Sequence, residues 1–378
     1  MLRIGSVWGV PIYVTPSWLL VAAFITVAYA DFMRDQLPDV TTRTSYLMAL
    51  VYAVALAVSV LLHELGHTAV SRLVGLPVRR IVVFLLGGVS EIDGEAARPR
   101  DEFVIAASGP AASFGLAGVC WAASLLTGHD TAPSVLLLLL AWSNLVIAVF
   151  NVLPGLPLDG GRIVQSAVWA MSGSRYTGVR AAAWSGRAMA ALLALGVLIA
   201  NSMVADDSRV HVTTLLAAAM GFAIAAFLWL GATQSLRSAT IGERAAALRL
   251  RDLLRPAVYV GPATPLSEAV RIANEAGAAG IVIIDGQGRS RAIVREADVL
   301  RLPPRQRPWS AVSEFGQALE PGLIMREDLA GTDLIDAVQS HPASEYLVIG
   351  ADGVARGVMA ASDLATALSR PRPRPAHM

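Results

Sequence analysis

The sequence predicts a polytopic α-helical membrane protein whose last third is a soluble α/β pair of repeated units. Apolar residues make up 55% of the 378 residues, and the mean hydropathy of +0.56 exceeds that of ordinary soluble domains. Six segments are apolar over close to the ~20 residues that a helix needs to cross a bilayer. Near Ile241 the charged residues become frequent, and one order of strands and helices then occurs twice.

The six apolar spans lie in the first two thirds of the chain. A β-branched run, Ile81 to Leu86, lies between the second and third spans and is followed by Gly87-Gly88, which predicts a membrane-associated β-hairpin within residues 75–100. Residues 1–14 predict an extended lead-in. The predicted spans are residues 17–30, 45–74, 102–126, 134–152, 181–200 and 212–232.

The charged residues predict the orientation and exclude one class of function. The formal net charge of +1 is far from the basic excess of nucleic-acid binders, so we expect no nucleic-acid partner. All 30 basic side chains are arginine, which is typical of a GC-rich bacterial source. They concentrate in the loops after the second and fourth spans and beyond residue 237. The positive-inside rule then places both termini in the cytoplasm of a bacterial cell membrane.

The soluble part divides into two similar units. Each has a helix, an apolar strand, an Asp-Gly turn, a second strand and another helix. The predicted organisation is a membrane domain over 1–235, a linker helix over 236–250, a first unit over 251–302, an inter-repeat segment over 303–320, a second unit over 321–370 and a disordered tail over 371–378.

The second span contains the pattern His63-Glu64-Leu65-Gly66-His67. Residues four apart share one face of a helix, so His63 and His67 can present two imidazole nitrogens to one metal ion. Glu64 lies beside them, where it can accept a proton from water. A short pattern of this kind also arises by chance on polar helix faces. Within a membrane span, however, ionisable side chains are costly unless they are paired or bound to a ligand, which favours a functional site.

A catalytic zinc site needs a third protein ligand. Asp159 follows the fourth span directly, in a Pro- and Gly-rich stretch where the helix is interrupted, and irregular backbone at membrane depth typically lines a cavity. Glu91 is the alternative, because some soluble zinc proteases place a glutamate ligand at a similar distance after the second histidine. We favour Asp159, although an Asp-Gly turn at a helix end also occurs without a metal.

These motifs resemble the site-2 protease family of intramembrane zinc metalloproteases. The resemblance rests on the H-E-x-x-H box in a membrane helix together with Asn151-x-x-Pro-x-x-Pro-Leu-Asp159-Gly-Gly-Arg, and it covers roughly residues 1–232. It implies that His63, His67 and Asp159 bind one Zn²⁺ per chain and that Glu64 is the catalytic base.

The same resemblance implies further roles and a class of substrate. Asn151 would hold the substrate or the oxyanion, and the hairpin at Gly87, Gly88 and Val89 would pair with an extended substrate as an added strand. The expected reaction is regulated intramembrane proteolysis by a zinc metalloendopeptidase. Its expected substrate is a membrane-anchored regulator, such as an anti-sigma factor or a pro-transcription factor.

The paired soluble units resemble a tandem of cystathionine-β-synthase-type (CBS) domains, which implies homodimerisation and an adenosyl ligand such as ATP or AMP. The family's ligand signature, Gly-h-h-Ser/Thr-x-x-Asp with h apolar, aligns with Ala292 to Asp298 and with Gly357 to Asp363. Both aspartates are present, but Arg295 and Ala360 replace the Ser/Thr. A purely structural pairing module therefore stays open, with the aspartates as ordinary acids at helix N-termini.

Two other functions compete with the protease. CBS pairs also regulate transporters, so a CBS-gated metal transporter is one alternative, although the sequence shows no inverted repeat. A catalytically inactive membrane scaffold is the other. The Glu64→Gln substitution distinguishes the enzyme from the scaffold, because only the enzyme depends on that carboxylate.

Overall fold

The computed structural model describes residues 1–84, 87–128, 131–204 and 212–369. The chain divides into two compact units, Met1–Ala239 and Thr240–Met378. The predicted disordered tail at 371–378 lies outside the described residues.

Six of the described helices are long and apolar enough to cross a membrane, which agrees with the predicted number of spans. Thr41 caps the second of these helices, since its side chain accepts a hydrogen bond from the Thr44 amide at 3.3 Å. The six are α1 (Ser17–Gln36), α2 (Thr42–Leu73), α3 (Pro99–Ser124), α4 (Ala132–Val152), α6 (Arg175–Val204) and α7 (Val212–Ala246).

The α7 helix extends beyond the predicted sixth span, to Ala246. Most of the segment predicted as a separate linker helix, 236–250, is therefore the C-terminal part of α7. The helix continues from its apolar part into its charged part because the sequence between Ala232 and Ala246 contains no proline, and a single glycine, Gly242, is tolerated within a helix.

One helix has no counterpart among the predicted elements. After α4, the chain forms the irregular segment 153–158 and then α5 (Asp159–Ser172). The Leu156 amide in that segment donates to the Ala182 carbonyl of α6 at 3.1 Å. A partly buried ion pair from Arg162 of α5 to Glu102 of α3, 2.8 Å between Nε and Oε1, ties α5 to the bundle. Both contacts fix the position at which α5 begins.

The predicted hairpin is half of a larger sheet. Strands β3 (Val78–Phe84) and β4 (Gly87–Ile92) form it as an antiparallel pair. The segment predicted as an extended lead-in forms β1 (Leu2–Val7) and β2 (Val10–Val14), and β2 pairs with β3 in parallel, with Ile12 opposite Ile81. The strand order is β1-β2-β3-β4, so β4 is an edge strand.

The soluble unit confirms the predicted repeat. Each half has the order β-α-β-β-α, in which the first strand pairs in parallel with the second and the second pairs antiparallel with the third. The first half consists of β5 (Ala257–Val260), α8 (Leu266–Glu275), β6 (Gly280–Ile284), β7 (Ser290–Val294) and α9 (Glu296–Arg301), with β8 (Gly316–Ala318) added beside β7. The second half consists of β9 (Ile324–Arg326), α10 (Gly331–Ser340), β10 (Glu345–Ile349), β11 (Ala355–Ala360) and α11 (Ala361–Ser369).

Apolar packing joins the two halves. Each half has its own core, centred on Leu266 in the first and on Tyr346 in the second. A third cluster draws Val282 and Ile293 from the first sheet and Leu347 and Val358 from the second, all at most 2% exposed. Because both sheets contribute to this cluster, the two repeats bury apolar surface that neither would bury alone.

Candidate metal centre

His63 and His67 lie one turn apart on α2 and are buried, with 6% and 5% of their surface exposed. Their rings meet edge to face, with centroids 5.0 Å apart, and the two Nε2 atoms are separated by 3.3 Å. The helical spacing therefore brings two lone-pair nitrogens to one point, as the sequence pattern indicates.

The third group at this point comes from α5, 92 residues after His67 in the sequence. Oδ2 of Asp159 lies 3.1 Å from His63 Nε2 and 3.2 Å from His67 Nε2. Within the described part of the chain, these are the three side chains whose ligand atoms come together as a possible metal site, all within 4.8 Å of one another. Asp159 is the first residue of α5, so the interruption between α4 and α5 determines where this carboxylate lies.

The geometry of the three atoms fits a tetrahedral zinc ion. With bonds of about 2.0 to 2.1 Å to N and O ligands, neighbouring ligand atoms around tetrahedral zinc are about 3.3 Å apart. The observed separations of 3.1, 3.2 and 3.3 Å match one face of such a tetrahedron. The fourth position, which catalytic zinc sites leave open, would face away from this triangle.

Hydrogen bonds to the other ring nitrogens orient both imidazoles. His67 Nδ1 lies 2.8 Å from the Ile105 carbonyl oxygen, which can only accept, so Nδ1 carries the proton and Nε2 is free to bind a metal. His63 Nδ1 lies 2.9 Å from the Ser113 hydroxyl. Both partners belong to α3, and this arrangement is typical of zinc-binding histidines.

Glycine at position 109 makes this approach of α3 possible. A Cβ atom at Gly109 would overlap Nε2 of both histidines. Any side chain there would push the two imidazole rings out of this arrangement. Gly109 therefore leaves the metal position accessible, while Ser113, one turn later on the same helix, holds His63.

Glu64 is 7% exposed and lies under β4. The Ser90 hydroxyl is 2.8 Å from Glu64 Oε2 and 3.2 Å from the Glu64 carbonyl oxygen. A Cβ atom at Gly88 would overlap the side chain of Glu64. The strand thus packs directly on the carboxylate, and Ser90 fixes one of its two oxygens.

A cavity of about 480 Å³ opens beside these groups. Its lining includes the metal-centre side chains, Glu64, Asn151 and the strand residues Gly87, Gly88 and Val89. The side-chain amide of Asn151 donates to the Ile147 carbonyl at 3.0 Å, which leaves one amide hydrogen and the amide oxygen for other partners. Apart from the alternative ligand Glu91, the membrane-domain site residues selected from the sequence therefore border the same space.

Glu91, the alternative third ligand, lies elsewhere. Its carboxylate forms an ion pair with Arg80 across the hairpin, at 2.7 Å. The Glu91 side chain is 35% exposed and that of Arg80 is 39% exposed. The Arg80 guanidinium lowers the pKa of the Glu91 carboxyl. Among the described residues, Glu91 has no part in the His63–His67–Asp159 cluster.

The two aspartates of the soluble unit are each held by an arginine of the same unit. Asp298 accepts from Arg295 Nε at 2.6 Å. Asp363 forms a two-point ion pair with Arg255, with 2.5 Å from Nε and a second bond from Nη2. Arg295 stands where the CBS signature has Ser or Thr, so the departure from the signature supplies the side chain that holds Asp298.

Sequence reasoning missed the groups that support the site. These are Ser113 beside His63, Ser90 beside Glu64, and the Glu102–Arg162 ion pair that anchors α5. The sequence offered one usable signal: Gly109 and Ser113 are four residues apart, so a small and a polar residue share one face of α3. It offered no comparable signal for Ser90, whose contact depends on how the sheet packs on α2.

The chain was compared with known proteins. Residues 51–135 and 127–196 match the family model of peptidase family M50. A protein from Synechocystis named "Putative zinc metalloprotease sll0528" is 27% identical over 369 residues, which cover 95% of this chain and 93% of that protein.

Two solved structures are also similar. The site-2 protease from Methanocaldococcus jannaschii has a TM-score of 0.41 and 23% identity, and the match covers 62% of this chain and 94% of that one. A CBS domain protein from Thermoplasma acidophilum has a TM-score of 0.27 and 19% identity, over 32% of this chain and 70% of that one. The membrane domain therefore resembles peptidase family M50 over residues 51–196, and the similarity to the Synechocystis protein extends over nearly the whole chain.

Proposed function

We propose that this protein is an intramembrane zinc metalloprotease that cleaves a peptide bond within the transmembrane segment of another protein. One observation carries the proposal. Ligand atoms of His63, His67 and Asp159 converge beside the Glu64 carboxylate, in a cavity formed by helices long and apolar enough to cross a membrane.

In this proposal His63, His67 and Asp159 hold one zinc ion. A zinc ion bound there would supply Lewis acidity toward water and the scissile carbonyl. The chain contributes the orientation of its ligands, through Ile105 and Ser113. It also contributes a dry environment, since the histidines are almost fully buried.

Glu64 is the proposed general base. Its carboxylate would accept the proton of the attacking water and later deliver it to the nitrogen of the leaving amine. Ser90 donates to Oε2, so Oε1 stays available for the proton transfer. Substitution of Ser90 would leave the carboxylate in place but free to rotate.

Asn151 is the proposed donor to the substrate. One of its amide hydrogens is bonded to the Ile147 carbonyl, which fixes the side chain along α4. The second can donate to the carbonyl oxygen at which negative charge develops during attack. Its place in the cavity lining, with Asp159, supports this role.

Substrate binding would use the edge of β4. A transmembrane helix satisfies its own backbone, so a segment must unwind before its carbonyl can be attacked, and the exposed backbone then needs new partners. β4 is an edge strand, and Gly87, Gly88 and Val89 line the cavity next to Glu64. An extended substrate can add to this edge as a fifth strand.

The substrate we infer is a membrane-anchored regulator of the anti-sigma or pro-transcription factor type, cut in regulated proteolysis. We place the protein in a bacterial cell membrane with both termini cytoplasmic, because the arginines concentrate in the loops on one side. Proteolysis from outside the cell that removes the chain beyond Leu250 would contradict this orientation.

For the soluble unit we propose control by an adenine nucleotide, and homodimerisation through the CBS pair. Asp298 and Asp363 would bind the ribose, which requires exchange of their present arginine partners. Equilibrium dialysis of the full chain with AMP and ATP should show saturable binding that Asp363→Asn weakens. Absence of saturable binding to the wild type would refute the nucleotide site and favour a structural pairing module.

The ligand set predicts zinc content directly. Elemental analysis of the detergent-purified chain should give one zinc ion per chain for the wild type and for Glu64→Gln, and little zinc for His67→Ala and Asp159→Ala. The reason is that Glu64 is not a proposed zinc ligand, whereas His67 and Asp159 each supply one of the three proposed ligand atoms. Zinc retained in Asp159→Ala would contradict the proposed set and return Glu91 as a candidate, which Glu91→Gln would then test.

The close approach of α3 gives a second prediction with a matched control. Gly109→Ala should lose bound zinc, because the new methyl group overlaps both Nε2 atoms. Gly115→Ala on the same helix should keep it, because a Cβ there meets nothing within 4 Å. Equal zinc content in the two variants, both monodisperse in detergent, would show that the histidines do not meet beside Gly109.

Activity requires a reconstituted assay with a single-span model substrate. Removing a general base lowers rates about 10²- to 10⁴-fold. The cleavage rate of Glu64→Gln should therefore fall by at least about 10²-fold, while the variant keeps its zinc. Glu268→Gln, an exposed glutamate of the soluble unit, is the control and should cleave like the wild type. Cleavage unchanged in Glu64→Gln would refute its role, and an inert wild type containing zinc would favour the scaffold.

A further inference from the structure

The fifth membrane helix contains a charge that the proposed chemistry does not use. Arg187 lies in α6, within the span Arg175–Met203. A charged side chain in such a helix is costly at the bilayer centre, whereas an arginine near a helix end reaches toward the headgroups. Among the described residues no carboxylate forms an ion pair with Arg187. Its positive charge is therefore not neutralised by this part of the chain.

Two indole rings flank the guanidinium. Arg187 Cζ lies 5.0 Å from the ring centroid of Trp184, one turn earlier on α6, and 5.1 Å from that of Trp229 on α7. Both distances are typical of cation–π contacts. Aromatic contacts of this kind occupy the faces of a guanidinium and leave its edge, with its N–H donors, for an oxyanion.

The hydrogen bonds of Arg187 are incomplete. Nη2 donates to the Thr233 hydroxyl oxygen at 3.0 Å, and Thr233 in turn donates to the Trp229 carbonyl at 2.7 Å. Arg187 Nε is buried and has no hydrogen-bond partner. An unsatisfied buried donor is costly, and more so when it is charged, so the site lacks an acceptor.

The position along the helix corresponds to the lipid headgroup region. From Ala188 to Val204 the sequence of α6 has no charged residue, and these 17 residues extend about 26 Å, close to the ~30 Å of hydrocarbon in a bilayer. Arg187 is therefore at one end of the apolar stretch. Trp184 and Trp229 are 60% and 46% exposed, and tryptophan is enriched at this level of a membrane.

We propose that Arg187, Trp184, Trp229 and Thr233 form a binding site for the phosphate group of an anionic phospholipid. The guanidinium edge supplies charge-assisted hydrogen bonds to the phosphate oxygens. The exposed indoles contact the first carbons of the acyl chains. Arg237, exposed and one turn beyond Thr233 on α7, adds a second positive charge that favours an anionic headgroup over a zwitterionic one.

The residues around Arg187 favour a phospholipid over a free phosphate ion as the source of the phosphate group. A soluble phosphate ion would be desolvated between two lipid-facing indoles without gaining contact for its remaining oxygens. A phospholipid already lies at this depth, and its acyl chains cover the exposed faces of Trp184 and Trp229. The site is independent of the metal centre, so its test does not depend on proteolysis.

Native mass spectrometry of the full chain, titrated with phosphatidylglycerol or with phosphatidylcholine, tests the proposal. The wild type should retain phosphatidylglycerol selectively. Arg187→Gln should bind it about tenfold more weakly, which corresponds to about 1.4 kcal/mol, because the charge-assisted hydrogen bonds to the phosphate are lost. Arg34→Gln, which changes an exposed arginine paired with Asp31 on α1, is the matched control and should bind as the wild type does.

Three results would overturn the proposal. Equal retention of phosphatidylglycerol by Arg187→Gln and the wild type would exclude this arginine as the site. Equal retention of the two lipids by the wild type would exclude headgroup recognition. Displacement of the lipid by inorganic phosphate would identify a free anion as the ligand. If Arg187→Gln does not purify as a monodisperse protein, Thr233→Val and Trp184→Leu decide, and each should weaken selective binding.

Discussion

The membrane domain depends on one constraint: three ionisable side chains of α2 are buried among apolar helices, and each needs a partner. His63, Glu64 and His67 are 5 to 7% exposed, and Asp159 lies against both histidines. Polar groups in such surroundings are tolerated only when hydrogen-bonded, paired or bound to a metal. Helix α3 supplies the hydrogen-bond partners of the histidines, β4 supplies Ser90 to Glu64, and α5 supplies Asp159.

That arrangement explains why residues far from the centre are necessary to it. Asp159 reaches the histidines only because α5 starts where it does, and α5 is held by Glu102, which is 4% exposed and bonded to Arg162. Breaking a buried pair by removing one partner is strongly destabilising, since the other charge stays buried. Loss of Arg162 would therefore leave the Glu102 carboxylate buried without its partner and weaken the contact that positions Asp159.

The sequence predicted the features that depend on local pattern. Apolar length identified the six spans, helical spacing identified the histidine pair, and the repeated order of elements identified the two soluble units. The parallel pairing of β2 with β3 joins Ile12 to Ile81, and no local signal indicates such a contact. α5 was missed because Gly160 and Gly161 resemble a turn, and because a helix of 14 residues with Gln165 and Ser166 buried is too short and polar to read as a span.

Supporting contacts were the hardest to predict. Ser90 and Ser113 are ordinary serines by composition, and only the packing of β4 and α3 on α2 gives them a role. Asp159 could be selected over Glu91 from its place after a span, yet its contact with both histidines depends on the course of segment 153–158. A sequence shows which residues are of a type that can act in catalysis, but only the fold shows which side chains surround them.

The edge position of β4 bears on how a protease of this design would choose its targets. A strand edge offers main-chain amides and carbonyls, which every residue type can match equally well. Discrimination among substrates would then fall less on side-chain pockets than on how readily a segment leaves the helical state inside the bilayer. Glycine, proline or asparagine near the cleaved bond would destabilise the substrate helix and favour cleavage. A helix that is stable along its whole length would remain uncleaved in the same membrane. Selectivity would become a property of the substrate's own folding equilibrium.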